Sequence, residues 1–204
     1  MSLFPNLDPL VLPLPDAELL YFEKVDFVEP ALLEQLFNDT PWKSEEITVF
    51  GKTYPQPRLV AWYGDEGASY TYSGIRHEPW PWSRRLQFLR DQVQTLAGAR
   101  FNSVLLNYYR DQHDSMGLHA DDEPELGAEP VIASLSLGEE RTLYFKHKTR
   151  RDLKNFNLPL SSGSVLIMRG ATQRHWKHGL RKLSRPCGPR LNLTFRLVRK
   201  EPMA

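Results

Sequence analysis

Apolar and polar positions change their period about half-way along the chain. The stretch Glu29-Pro30-Ala31-Leu32-Leu33-Glu34-Gln35-Leu36-Phe37 sets a proline at a first turn and apolar residues at helical spacing, which predicts a helix over 29–37. Trp82, Leu86, Leu89, Val93 and Leu96 repeat that spacing and predict a second helix over 81–97. Beyond position 100 the period shortens. Runs rich in β-branched and aromatic residues at 103–109, 131–137, 142–147, 164–168 and 190–198 predict strands, and Gly138, Gly163, Gly170 and Pro189 fall at turns between them. Helices first and strands afterwards is the order of an α+β protein in which helices back an antiparallel sandwich or barrel. A double-stranded β-helix (jelly roll) is the expected form, because double-sheet closure limits exposed edges and leaves a mouth for a ligand.

Composition narrows the class. The 204 residues are 41% hydrophobic and 25% charged, enough for one ordinary soluble core. With no internal repeat and no Gly/Ser linker, the expected organisation is a single domain over 1–204. In it about 1–100 supply an N-terminal extension, the helices and a recognition lid, and about 101–200 supply the jelly-roll core. The lone Cys187 excludes an internal disulfide framework and a multi-cysteine zinc site, so a metal would need His and carboxylate ligands. Pro5, Pro9, Pro13 and Pro15 interrupt the first apolar stretch, which lacks a basic flank. No window approaches the ~18 apolar residues of a spanning helix. The expectation is a non-secreted protein with no membrane partner, inside the cell: cytoplasm or nucleoid in a bacterium, nucleus in a eukaryote.

Net charge is +1, but unevenly spread. Residues 1–140 carry 10 Lys+Arg against 23 Asp+Glu, whereas 141–200 carry 16 Lys+Arg against Asp152 alone. A basic tract of that density attracts a polyanion if it gathers on one face, and is otherwise a solvated surface paired with the acidic half.

Candidate chemistry begins at Gly117-Leu118-His119-Ala120-Asp121-Asp122-Glu123, where His119 and Asp121, two apart, leave the same face of a strand. Thr172-Gln173-Arg174-His175-Trp176-Lys177-His178 offers two histidines, either of which would complete a two-His, one-carboxylate set suited to iron(II). In Arg190-Leu191-Asn192-Leu193-Thr194-Phe195-Arg196, polar and apolar residues alternate, so two guanidinium groups and an amide share one face. Turned into a barrel, that face needs an anion, and a small dicarboxylate would supply one. Asn107 and Tyr109 likewise share a strand face.

Together these motifs resemble the AlkB family of iron(II)- and 2-oxoglutarate-dependent nucleic-acid dioxygenases, from about Val49 to Arg196. The likeness is to the animal-type members acting on duplex DNA, through Val49-Phe50-Gly51-Lys52, Pro57-Arg58, Tyr63-Gly64-Asp65 and Tyr70-Thr71-Tyr72-Ser73-Gly74. The resemblance implies His119, Asp121 and His178 as iron ligands, with His175 behind them. It implies Arg190 and Tyr109 at the distal carboxylate of 2-oxoglutarate, and Arg196, Asn107 and Asn192 around its other end. Asp122 and Glu123 become candidate catalytic acids that favour a cationic base. Tyr70, Tyr72 and Ser73 fall in the base pocket, Phe50 is a finger entering the duplex stack, and Arg58 supports base extrusion.

The activity implied is oxidative removal of N-alkyl groups of the 1-methyladenine or 3-methylcytosine type from DNA. It consumes 2-oxoglutarate and O2 and releases succinate, carbon dioxide and formaldehyde. Such bases pair poorly and carry charge, so flipping them out costs less. Two departures bear on substrate preference: Tyr72 stands where relatives often have Phe, and 148–158 is short. The alternatives are an RNA or tRNA demethylase of the same family and a damage-binding module without turnover. Nothing in the chain demands more than a monomer.

Overall fold

In the computed structural model, which describes residues 8–49, 52–68, 70–72 and 75–199, local sequence explains the helices well. Helix α2 (Arg84–Ala97) starts at Ser83, whose Oγ accepts the Leu86 N–H at 3.2 Å, and ends at Gly98 in the left-handed region, φ 61°. Its buried residues Leu86, Leu89, Val93 and Ala97 form one stripe. Helix α1 (Leu32–Asp39) begins after Pro30 and buries Leu32 and Leu36.

The expected order of helices before strands does not hold. Seven strands precede α2's start: β1 (Leu10–Leu12), β2 (Glu18–Phe22), β3 (Glu46–Val49), β4 (Lys52–Pro55), β5 (Leu59–Gly64), β6 (Tyr70–Tyr72) and β7 (Ile75–His77). After α2 come β8 (Ser103–Tyr109), β9 (Met116–His119), β10 (Ile132–Gly138), β11 (Arg141–His147), β12 (Phe156–Leu160), β13 (Val165–Arg169), the short α3 (Thr172–His175), β14 (Trp176–Leu180) and β15 (Arg190–Arg196). The early strands gave no period-two signal because they are short or, like β5, buried almost throughout.

The strands form two main antiparallel sheets. The larger runs β1-β2-β13-β10-β15-β8-β5, so it takes strands from both halves of the chain, and the smaller runs β12-β11-β14-β9. Two further hairpins, β3-β4 and β6-β7, stand apart. One face of the large sheet, with Leu106, Leu135, Ile167, Leu191, Leu193 and Phe195, shares a buried cluster with the apolar stripes of α1 and α2. The other face packs Leu19, Tyr21, Ile132, Leu166 and Met168 against Leu143, Phe145, Leu158 and Leu160 of the small sheet. The architecture is consistent with a jelly roll. Among the described residues no helix is long and apolar enough to cross a membrane.

Strand β15 is the hinge between sequence pattern and site. All seven of its residues are buried: the leucines and Phe195 face the helices, and Arg190, Asn192, Thr194 and Arg196 point between the sheets.

Candidate metal centre and substrate cleft

Three ligand-bearing side chains meet between the sheets. His119 ends β9, His178 lies on β14 directly opposite it in register, and Asp121 sits in the loop after β9. Asp121 is therefore placed by its loop and not by strand alternation: its backbone N–H donates to Oε1 of Gln173 on α3 at 3.0 Å. The ligand atoms of His119, Asp121 and His178 lie within 4.8 Å of one another, a spacing that one ion can bridge.

Each side chain is prepared for that task. A carbonyl can only accept, so in the 3.0 Å contact with the Gly117 oxygen His119 Nδ1 is the donor, and Nε2 is the nitrogen that can serve a metal. Burial and the neighbouring His119 lower the His178 pKa to about 3, and its ring is neutral at neutral pH. Burial works to raise the Asp121 pKa, but Arg196 and the two histidines outweigh it and bring the value down to about 2. Arg196 Nε donates to Asp121 Oδ1 at 3.1 Å, whereas Oδ2 is buried without a hydrogen bond, 3.6 Å from His178 Nε2. His178 Nδ1 is buried and unpartnered as well. His175 does not join them; it stacks on His147 at 5.8 Å.

Two spaces open from this cluster. The inner one, about 430 Å³, is lined by Tyr109, Ser134, Arg190, Asn192, Thr194 and Arg196 together with the three candidate ligands. Arg190 is 2% exposed, and no carboxylate among the described residues pairs with it. Its guanidinium lies 5.3 Å from the Tyr109 ring and donates to Ser136 Oγ at 3.0 Å, but Nε has no acceptor. Burial pulls its pKa down to about 10, with Tyr109 opposing, so the group stays charged at neutral pH. Asn192 is engaged at both ends of its amide: it donates to Ser134 Oγ and the Leu135 carbonyl and accepts from Thr194. Asn107 does not line this space; its Oδ1 accepts from Arg58 Nε at 2.9 Å.

The outer space, about 530 Å³, is lined by Glu45, Arg58, Val60, Trp62, Leu105 and Glu123, and shares Met116, His119, Asp121 and Arg196 with the inner one. Arg58 is thus a buried wall residue braced by Asn107. Glu123 lines the cleft, whereas Asp122 is exposed and paired with Lys148 Nζ at 2.7 Å, so its charge is largely offset. Phe50 and Ser73 lie outside the described residues. Tyr70 and Tyr72 belong to β6, and their side chains are not among those described. Sequence reasoning missed Glu45, Trp62, Met116 and Gln173. Trp62 hides in an apolar run, and Gln173 sits beside histidines that drew the attention.

A family model described as "2OG-Fe(II) oxygenase superfamily" matches residues 29–196. The chain belongs to that superfamily. Mouse "Alpha-ketoglutarate-dependent dioxygenase alkB homolog 3" is 45% identical over 179 residues, covering 84% of this chain and 62% of that protein. Mouse "DNA oxidative demethylase ALKBH2" is 43% identical over 159 residues, covering 75% of this chain and 66% of that protein. The chain thus spans less than two thirds of the length of the alkB homolog 3 relatives it matches. The likeness to AlkB proteins extends to the fold: a solved structure described as "The structure of OsALKBH1" superposes with TM-score 0.62 at 18% identity, over 92% of this chain and 99% of that one.

The superfamily's group fits the residues present. Two imidazoles and one carboxylate, with Asp121 Oδ2 buried and unpartnered 3.6 Å from His178 Nε2, form the donor set of a 2OG-Fe(II) oxygenase. Such an orphaned polar atom is costly to bury unless something completes it.

Proposed function

We propose that the protein is an iron(II)- and 2-oxoglutarate-dependent demethylase of nucleic-acid bases, as the names of its relatives suggest for them. DNA carrying 1-methyladenine- or 3-methylcytosine-type lesions is the proposed substrate, with duplex as the favoured form and a monomer as the acting species inside the cell. The observation that carries this reading is the buried, acid-free Arg190 in a chamber that also holds the His119, Asp121 and His178 side chains. A cation there asks for an anion, and one carboxylate of 2-oxoglutarate answers it through charge-assisted contacts.

His119, Asp121 and His178 would hold the metal, which when bound supplies the redox chemistry that couples 2-oxoglutarate and O2 to oxidation of the N-alkyl group. The chain's own contribution is position and charge. Arg196 fixes the Asp121 carboxylate so that one oxygen stays available. Gln173 holds the loop carrying that carboxylate. Arg58 and Trp62 wall the outer cleft, and Glu123 adds negative charge that suits a cationic base over a neutral one. A binding module without turnover has no use for a complete ligand set facing an unpaired arginine.

The test is anaerobic reconstitution with iron(II) and 2-oxoglutarate, then air, with oligonucleotides holding one 3-methylcytosine as duplex DNA, single-stranded DNA or RNA. Formaldehyde and restored base are followed together. Restored cytosine that needs both additions supports the reading, and the three arms rank the polymers. Consumption of 2-oxoglutarate with every base still methylated would overturn the substrate assignment while keeping the metal chemistry.

A further inference from the structure

Among the described residues, Met116 is the one apolar side chain common to both spaces: it lines the outer cleft and the inner chamber beside His119, Asp121 and Arg196. Residues three apart on a regular strand leave opposite faces. Strand β9 is not regular: His119 pairs with His178 and Met116 with Leu180, so β9 carries one more residue than β14 between the two pairs. That irregularity turns Met116 to the same side as His119.

The sulfur has a specific neighbour. Tyr109 Oη donates to Met116 Sδ at 4.0 Å, a long bond to a weak acceptor. The same tyrosine ring lies 5.3 Å from the Arg190 guanidinium, so Tyr109 stands between the sulfur and the buried cation. Met168 offers a comparison within the same chamber. It is 2% exposed and its Sδ accepts from Gln173 Nε2 at 3.5 Å, whereas Met116 is half-buried at the cleft, where a small oxidant can reach it.

We infer that Met116 is a reversible oxidation site that closes the inner chamber to 2-oxoglutarate. The inference rests on the 2-oxoglutarate reading of that chamber. Hydrogen peroxide passes one oxygen atom to the sulfur: an S–O bond forms, the O–O bond breaks, the thioether is oxidised and the peroxide leaves as water. The sulfoxide oxygen is a strong acceptor where the thioether was a weak one. It takes the Tyr109 hydroxyl and sets a partial negative charge toward Arg190, where a carboxylate would otherwise come. A thiol pair of a sulfoxide reductase reverses the step, the oxygen leaving as water and the thiols becoming a disulfide.

The experiment treats metal-free protein with peroxide, removes the excess with catalase, loads manganese(II) and measures 2-oxoglutarate binding by calorimetry, while peptide mass spectrometry locates the added oxygen. Met116 should gain it well before Met168. Affinity for 2-oxoglutarate should fall on the order of 10-fold, the worth of the hydrogen bond that must be displaced, and methionine sulfoxide reductase should restore it. Met116→Leu should keep its affinity through the same treatment. Untreated Met116→Gln, which brings an oxygen acceptor to that position, should bind as weakly as the oxidised wild type. Oxidation of Met168 ahead of Met116, unchanged affinity once Met116 is oxidised, or an equal loss in treated Met116→Leu overturns the inference and leaves the demethylase reading intact. If untreated wild type binds no 2-oxoglutarate with metal present, that reading fails and takes the inference with it.

Discussion

Replacing Arg190 by Met separates what a buried cation does for binding from what it does to stability. The guanidinium is 2% exposed, and burial lowers its pKa from 12.5 to about 10. The protonated form is the one disfavoured in the folded state, so at any pH below about 10 the native protein carries the full cost, about 3 kcal/mol. That figure already includes the opposing Tyr109, and the hydrogen bond to Ser136 returns about 1 kcal/mol of it. Methionine fills similar volume without the charge. The metal- and 2-oxoglutarate-free variant should therefore melt roughly 4–8 °C above wild type, the response to about 2 kcal/mol in a chain of this size. Binding goes the other way. Removing one partner of a buried charge pair costs about 2–5 kcal/mol, so the KM for 2-oxoglutarate should rise at least roughly 30-fold. Thermal melting with and without 2-oxoglutarate, alongside turnover at graded 2-oxoglutarate, reads both effects. A variant that melts below wild type and still gains stability from 2-oxoglutarate would falsify the account of Arg190 as an anion receptor held at a cost.

Three other outcomes follow from the site. Asp121→Ala should abolish metal binding and lesion removal and destabilise the fold by about 3–5 kcal/mol, because Arg196 loses the carboxylate it pairs with in a buried site; surviving lesion removal would mean the ligand assignment is wrong. Since His178 titrates near 3 when folded and near 6.5 when unfolded, the unfolded chain binds the extra proton between those values, and metal-free stability should fall as pH drops below about 6.5. Asp121, at about 2 against an ordinary 3.8, has the depressed acid's profile: its contribution is present above pH 3.8 and lost only as pH falls toward 2. Urea midpoints across this range check the sign, and a His178→Leu variant should lack the decline below 6.5. Gln173→Met keeps volume but removes the acceptor of the Asp121 N–H, so cobalt(II) affinity, read by absorption, should weaken roughly 10–100-fold; an unchanged titration would reduce Gln173 to packing.

The sequence by itself determined the parts that depend on local period and side-chain chemistry. Alternation in 190–196 is a property of the extended backbone, so it placed both arginines on one face before any partner strand was known. Helix α2 was legible because its stripe and Ser83 cap are local. His119 and Asp121 do come together in space, although the loop and Gln173, not a strand face, bring the carboxylate in.

Tertiary structure decided what depends on distant pairing. Strands β2 and β5, toward opposite ends of the large sheet, could not be read, because short or doubly buried strands show no alternation and their identity comes from partners far along the chain. The same holds for His175 and His178, between which spacing does not choose: the register of β14 against β9 brings His178, and not His175, beside His119 and Asp121. Arg58 in the cleft wall, Asn107 turned to it, and Lys148 offsetting Asp122 are likewise contacts across elements. A sequence states which groups exist and which face each shares with its near neighbours; only the folded chain states that Arg190, buried between the sheets, faces the candidate ligands with no carboxylate beside it among the described residues.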